Sequence, residues 1–133
     1  MNDLLALMID IYDIKDIDWL NYKITKENPL TLHHIIKKED GGKNIATNLA
    51  PITKKGHCYL HIIEHYDINA YNKINSILLS INQSGNSKQK QREIEAIFLA
   101  FEEEHSKDVI KGNKGKSKRK TLTYTRKKDQ NGK

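Results

Sequence analysis

The spacing of apolar residues divides the chain into short amphipathic segments separated by polar punctuation. Leu4, Leu7, Met8 and Ile11 recur at i, i+3, i+4 and i+7, which predicts a first helix capped by Asn2 or Asp3, with this face on the core. The periodicity weakens from Asp13 to Asn21, where Trp19 and Tyr22 read as packing anchors. Tyr22-Lys23-Ile24 suggests a short strand, Asn28-Pro29 a turn, and Leu30 to Ile36 a buried strand of apolar and β-branched character. Lys37 to Thr47 is polar and contains Gly41-Gly42, so it predicts an exposed loop with turn geometry. Asn48 to Ile52 can return as a second strand, with Pro51 confining it to a sheet edge.

Helical periodicity takes over after this point. Thr53 is placed to cap a helix over Lys54 to Glu64, on which Leu60 and Ile63 turn inward. Asp67 to Asn82 carries Ile68, Tyr71, Ile74 or Asn75, Leu78 and Ile81 along one stripe. Ser84-Gly85-Asn86-Ser87 breaks the pattern, and Ser87 can cap a last helix through Glu104 with Ile94, Ile97, Phe98 and Phe101 on its inner face. Glu102-Glu103-Glu104 reads as a solvated face or as a contact for the basic tail. The expected fold class is α+β and mostly helical, with a two-stranded antiparallel hairpin plus helix packed between N- and C-terminal helices.

Composition narrows the picture. A chain of 133 residues can bury a modest core as one domain. Cys58 is the single cysteine, which excludes an intramolecular disulfide and a cysteine-rich zinc finger and suggests a reducing, cytoplasmic setting. Its position, about 100° around the helix from His57, predicts core rather than ligand. Neither a signal peptide nor a membrane span is visible. The net charge of +6 is unevenly placed: Ser106 to Lys133 holds eleven Lys or Arg against two Asp. The ordered domain is therefore expected over 1–105, with a basic, disordered tail over 106–133. Lys116, Lys118, Arg119 and Lys120 form its densest run, a candidate nucleic-acid arm.

The candidate chemistry is concentrated in one place. Four of the six histidines, His33, His34, His57 and His61, fall within Leu30 to His61. His57 and His61, four residues apart, stack on one helix face and can share one metal ion. The strand pair offers a third ligand, because alternation turns one imidazole to the metal and its neighbour to the other side. His65 continues the helical stripe but lies a further turn away, so it reads as satisfied or exposed.

The succession His33-His34, a loop, Asn48, then His57 and His61 resembles the HNH endonuclease family, the ββα-metal or His-Me finger nucleases. The match covers about 30–65. Its double-histidine start is similar to the colicin-type nucleases, and the run from Asn28 to His61 looks like small phage-encoded HNH proteins. The resemblance implies that His33, His57 and His61 ligate one divalent ion, that His34 is the general base activating water, and that Asn48 ties the loop to the strand and orients His34. DNA is the implied substrate, with RNA as the other polymer of the same backbone chemistry. A monomer with one site would nick.

Imidazole suits the base role, since its ordinary pKa lies near neutral pH. Three nitrogen ligands favour Zn, Ni, Co or Mn over Mg, which prefers oxygen, though Mg is also possible. The start of the 54–64 helix predicts a neutral His57, free N–H groups that attract phosphate, and DNA contacts from Lys54 and Lys55. The other function class that this sequence allows is a non-catalytic nucleic-acid-binding module in which the same histidines hold a structural zinc.

Overall fold

The computed structural model describes residues 3–112, with side chains described over 3–105. Helix α1 spans Asp3–Ile11, strands β1 and β2 span Leu30–His34 and Leu49–Thr53, and helices α2, α3 and α4 span Lys54–Tyr66, Ile68–Ser84 and Lys88–Gly112. The chain is α+β and mostly helical: β1 and β2 pair antiparallel, with Leu30 opposite Thr53 and His34 opposite Leu49. A two-stranded sheet consists only of edges, so Pro51, opposite Leu32, has a place without a ladder donor. No described helix is long and apolar enough to cross a membrane. Lys116, Lys118, Arg119 and Lys120 lie outside the described residues.

The core gathers around β2 and the inner faces of the helices. Leu49, Ala50 and Ile52 of β2, Leu60 and Ile63 of α2, Ile74, Leu78 and Ile81 of α3, and Ile94, Phe98 and Phe101 of α4 are buried together. Trp19 and Tyr22 anchor the segment before β1, as their size and position predict. Tyr22 to Ile24 forms no extended strand, only an isolated bridge between Ile17 and Lys23.

Several expectations shift by a residue or a turn. On α1 the buried face is Leu5 and Met8, while Leu7 and Ile11 are exposed. The helix is only nine residues long, and one stripe of it suffices to cover the sheet. Ile68 is exposed because it opens α3, before the first turn that meets α2. Cys58 is also exposed, which corrects its reading as a core residue: Tyr59 and Leu60 take the inner face. Helix α4 continues past Glu104 to Gly112, into the basic segment. Glu102 is not merely solvated, since it accepts a hydrogen bond from the buried Tyr59 hydroxyl. The loop after β1 folds into two short 3-10 turns at Lys38–Asp40 and Ala46–Asn48. Between them Gly41 adopts φ 91°, and at Gly42 a Cβ would lie 1.7 Å from the Ile36 carbonyl oxygen, so the close approach excludes any side chain.

The junction of β2 and α2 is fixed by a buried carboxylate. Asp18, 2% exposed, accepts from the backbone N–H of Leu20 and Tyr22 through Oδ1 and of Thr53 through Oδ2, at 2.7–2.9 Å. Thr53 in turn caps α2 by accepting from Gly56 N. Gly56 lets Tyr22 and Asp18 close on this turn, for a Cβ there would meet both within 3.2 Å. Asn28 Oδ1 takes Lys55 N, and the Pro29 carbonyl takes Lys54 N. The first N–H groups of α2 are therefore all used, which overturns the expectation that they attract phosphate. The protein supplies its own acceptors there.

Replacing Asp18 by Ala removes the acceptor of three buried backbone donors. The expected loss is about 3 kcal/mol or more, since each buried unsatisfied donor costs on the order of 1–3 kcal/mol. Thermal unfolding of the variant should begin at least about 10 °C lower. A change of only a degree or two would mean that Asp18 does not hold the junction.

Candidate metal centre

Strand β1 and helix α2 bring His33, His57 and His61 together, with one ligand nitrogen of each lying within 4.8 Å of the others. His33 points from β1 onto the covered side of the sheet and is 2% exposed; His57 is half-buried and His61 exposed. The cluster thus has a closed floor and an open side. His33 packs edge-on against both partners, and the His57 and His61 rings stack at 4.9 Å, as residues one turn apart do.

Each of the three rings has one nitrogen committed elsewhere. Thr31 Oγ1 donates its hydrogen to the Ile52 carbonyl, so at 2.9 Å from His57 Nδ1 it accepts. The proton of His57 is therefore on Nδ1, and its Nε2 lone pair is free. Glu64 Oε1 accepts from His61 Nδ1 at 3.1 Å, which frees Nε2 of that ring as well. Asn75 Oδ1, on α3, accepts from His33 Nε2 at 2.8 Å and leaves Nδ1. Acceptors behind ligating imidazoles fix tautomer and ring orientation and raise the basicity of the free nitrogen. Three nitrogen donors, each presented in this way, form a group that could hold one metal ion. The structure thus provides a histidine cluster able to bind such an ion.

The electrostatics disfavour protonation of His33 and His57. Burial lowers the His33 pKa to about 4 from 6.5, and the neighbouring His57, His61 and His34 add to the effect, while the Asn75 hydrogen bond opposes it. His57 is lowered too, first by burial and then by His61 and His34. A ligand that is already deprotonated has no proton to lose on binding.

His34 is the last residue of β1. Its exposure differs from that of His33, as strand alternation requires, yet it borders the same cleft of about 280 Å³ as His33, His57 and His61. Its Nε2 is buried without a hydrogen-bond partner among the described residues. Asn48 sits at the opposite end of the loop: its Oδ1 accepts from Ile36 N, and its Nδ2 donates to the Ile36 and Lys43 carbonyls. The loop is thereby tied to the residues that directly follow His34. Lys54 and Lys55 are exposed at the start of α2, outside the cleft wall. His65 is exposed and meets only the Tyr66 ring.

Sequence reasoning missed Thr31, Glu64, Asn75 and Lys37. Thr31 shares a strand face with His33 by the period of two, and Glu64 lies three residues beyond His61, so both signals were present. Asn75 stood on a core stripe, where a buried amide demands a partner. Lys37, beside the cleft, pairs with Glu64. A second group, Asp67, Glu104 and His105, joins the α2–α3 junction to α4 as ion pairs to His105 Nε2 at 3.4 and 3.0 Å. Glu104 is mostly exposed there, and the ion pairs account for the arrangement.

No protein-family model, curated protein or solved structure matches this chain. The site therefore rests on its own geometry.

Thr31→Val removes the acceptor behind His57 with little change in shape. Zinc affinity should fall about 10- to 100-fold, measured by competition with a chromophoric chelator. An unchanged affinity would show that Thr31 does not orient a ligand. The depressed His33 pKa also gives a pH dependence. In the unfolded chain His33 takes up a proton near 6.5, and in the folded chain only near 4. Its contribution to stability is complete above pH 6.5 and falls by up to about 3 kcal/mol as the pH drops to 4. With chelator present, denaturation midpoints should decline across this window, and His33→Gln should flatten the decline.

Proposed function

We propose that this chain is a metal-dependent endonuclease of the HNH type that hydrolyses DNA phosphodiester bonds. The observation that carries the reading is the convergence of His33, His57 and His61 on one point while a fourth imidazole, His34, borders the same open cleft. A divalent ion held by the three histidines would supply Lewis-acid stabilisation of the charge that develops on the phosphate and the departing 3′ oxygen.

The remaining work falls to the protein's own side chains. His34, at the cleft wall, would accept a proton from a water in the cleft through an imidazole lone pair. The water oxygen forms the new bond to phosphorus as the bond to the 3′ oxygen breaks, giving 5′-phosphate and 3′-hydroxyl ends. An imidazole is the side chain suited to general-base work at neutral pH. Asn48 supports this by holding the Ile36 backbone, two residues beyond His34, against the loop. Thr31, Asn75 and Glu64 hold the ligand rings. His61 on the exposed side leaves the approach open for a backbone phosphate.

The non-catalytic reading, a structural zinc, wants a closed set of four ligands. Among the described residues the group has three, and His34 has its own position at the cleft wall. The open site favours catalysis.

The test is conversion of supercoiled plasmid to nicked circles across Mg, Mn, Co, Ni and Zn, with His34→Ala beside the parent. The variant should cut about 10²- to 10⁴-fold more slowly, roughly 3–5 kcal/mol of barrier, and should keep its metal affinity. A parallel loss of metal would move His34 into the ligand set. Tight zinc and DNA binding without cutting by any ion would favour the structural module.

A further inference from the structure

The cleft contains a cation that the nuclease reading does not use. Lys37 follows His34 by three residues, and its ammonium group pairs with Glu64, the same carboxylate that accepts from His61 Nδ1. The ammonium also lies 5.8 Å above the Tyr71 ring, and the side chain remains 35% exposed. Lys37 and His61, both at the cleft, are thus connected through Glu64, which lines the neighbouring hollow.

We infer that Lys37 is a phosphate-binding residue, holding a backbone phosphate of the nucleic acid beside the one at the histidine cluster, with Glu64 as its resting counter-ion. This inference rests on the nuclease reading and deepens it. An ammonium group has three donors and Glu64 occupies one side of it, so the others can meet a phosphate oxygen without breaking the pair. Glu64 and the Tyr71 face fix the head group of an otherwise flexible side chain, which lowers the entropy lost when a ligand arrives.

The surroundings say on which side the phosphate sits. Lys37 and Glu39 border both the histidine cleft and the neighbouring hollow, Lys38 borders the cleft alone, and Asp40 and Glu64 line the hollow alone. With three carboxylates against one lysine the hollow is the more acidic of the two, whereas the cleft sets Lys37 and Lys38 against Glu39, so a phosphate is favoured on the histidine side. The other candidate anion site, the start of α2, is closed because Pro29, Asn28 and Thr53 already take its N–H groups. Lys37 therefore provides what that helix end does not.

The test measures binding of a short fluorescein-labelled DNA duplex of mixed sequence by the full-length, zinc-loaded His34→Ala protein, in which cutting is suppressed, from about 50 to about 200 mM salt. Adding Lys37→Ala should weaken binding roughly 3- to 10-fold and lower the log–log salt slope by about 0.9, with zinc affinity unchanged. Lys37→Arg should retain the slope. If the parent binds and Lys37→Ala leaves the slope intact, the inference falls and the nuclease reading stands. If zinc affinity drops while the slope holds, Lys37 acts only by bracing Glu64 and His61, which also overturns it. A parent that binds no DNA defeats the nuclease reading and this inference together.

Discussion

A buried carboxyl held by backbone N–H groups governs where the histidines can meet. Asp18 gives up its hydration for three backbone N–H groups, two from its own turn and one from Thr53. Burial pushes its pKa up, and those same hydrogen bonds pull it back. The result fixes the strand-to-helix junction, because Thr53 is both the last residue of β2 and the cap of α2. His57 lies on the first turn after that cap and His33 on the strand paired with β2, so their separation follows from this one junction. A loose connection there would spread the ligands by more than a metal ion tolerates.

The second requirement is that several imidazoles share a small volume without charging. Four protonated rings so close together would repel one another, and burial of His33 and His57 makes the neutral forms the stable ones. Neutral rings still have a polar N–H to satisfy. Thr31, Glu64 and Asn75 each take one, from three different elements. The cluster is thus set by the strand, by the helix and by α3 together, and no single element could have fixed its tautomers. Glu64 is itself held by Lys37, whose contact, together with that of His61, outweighs the upward pull of burial on the carboxyl.

Much of this was legible in the sequence, and the losses have physical causes. The hairpin, the Thr53 cap, the inward Leu60 and Ile63, and the stripes of α3 and α4 follow from period and capping chemistry, which are local properties. Strand alternation left His33 and His34 both open as the partner of His57 and His61; the family resemblance pointed to His33, and the fold groups it with them. Leu7, Ile11 and Cys58 were misread because a short amphipathic helix has more apolar positions than its neighbours can cover, and tertiary contact alone selects among them. The N–H groups at the start of α2 were misread for a related reason. Their acceptors, Asn28 and Pro29, lie 27 and 25 positions upstream of the donors they meet, Lys55 and Lys54, a distance over which no pattern speaks.

Charge then limits how a phosphate backbone could be drawn to the cleft. Burial disfavours charge on His33 and His57, and the positive groups Lys37 and Lys38 stand against Glu39 and Glu64. The charged side chains around the cleft consequently cancel to first approximation. A polyanion gains little from such a surface, whatever its shape. Two units of positive charge placed between His33, His57 and His61 would change that sign outright, since a bound cation is the largest local charge in a site of this kind. On the nuclease reading, metal loading and nucleic-acid binding are therefore linked through the cleft itself. On the same reading, a balanced rim makes the attraction for a polyanion conditional on the bound ion.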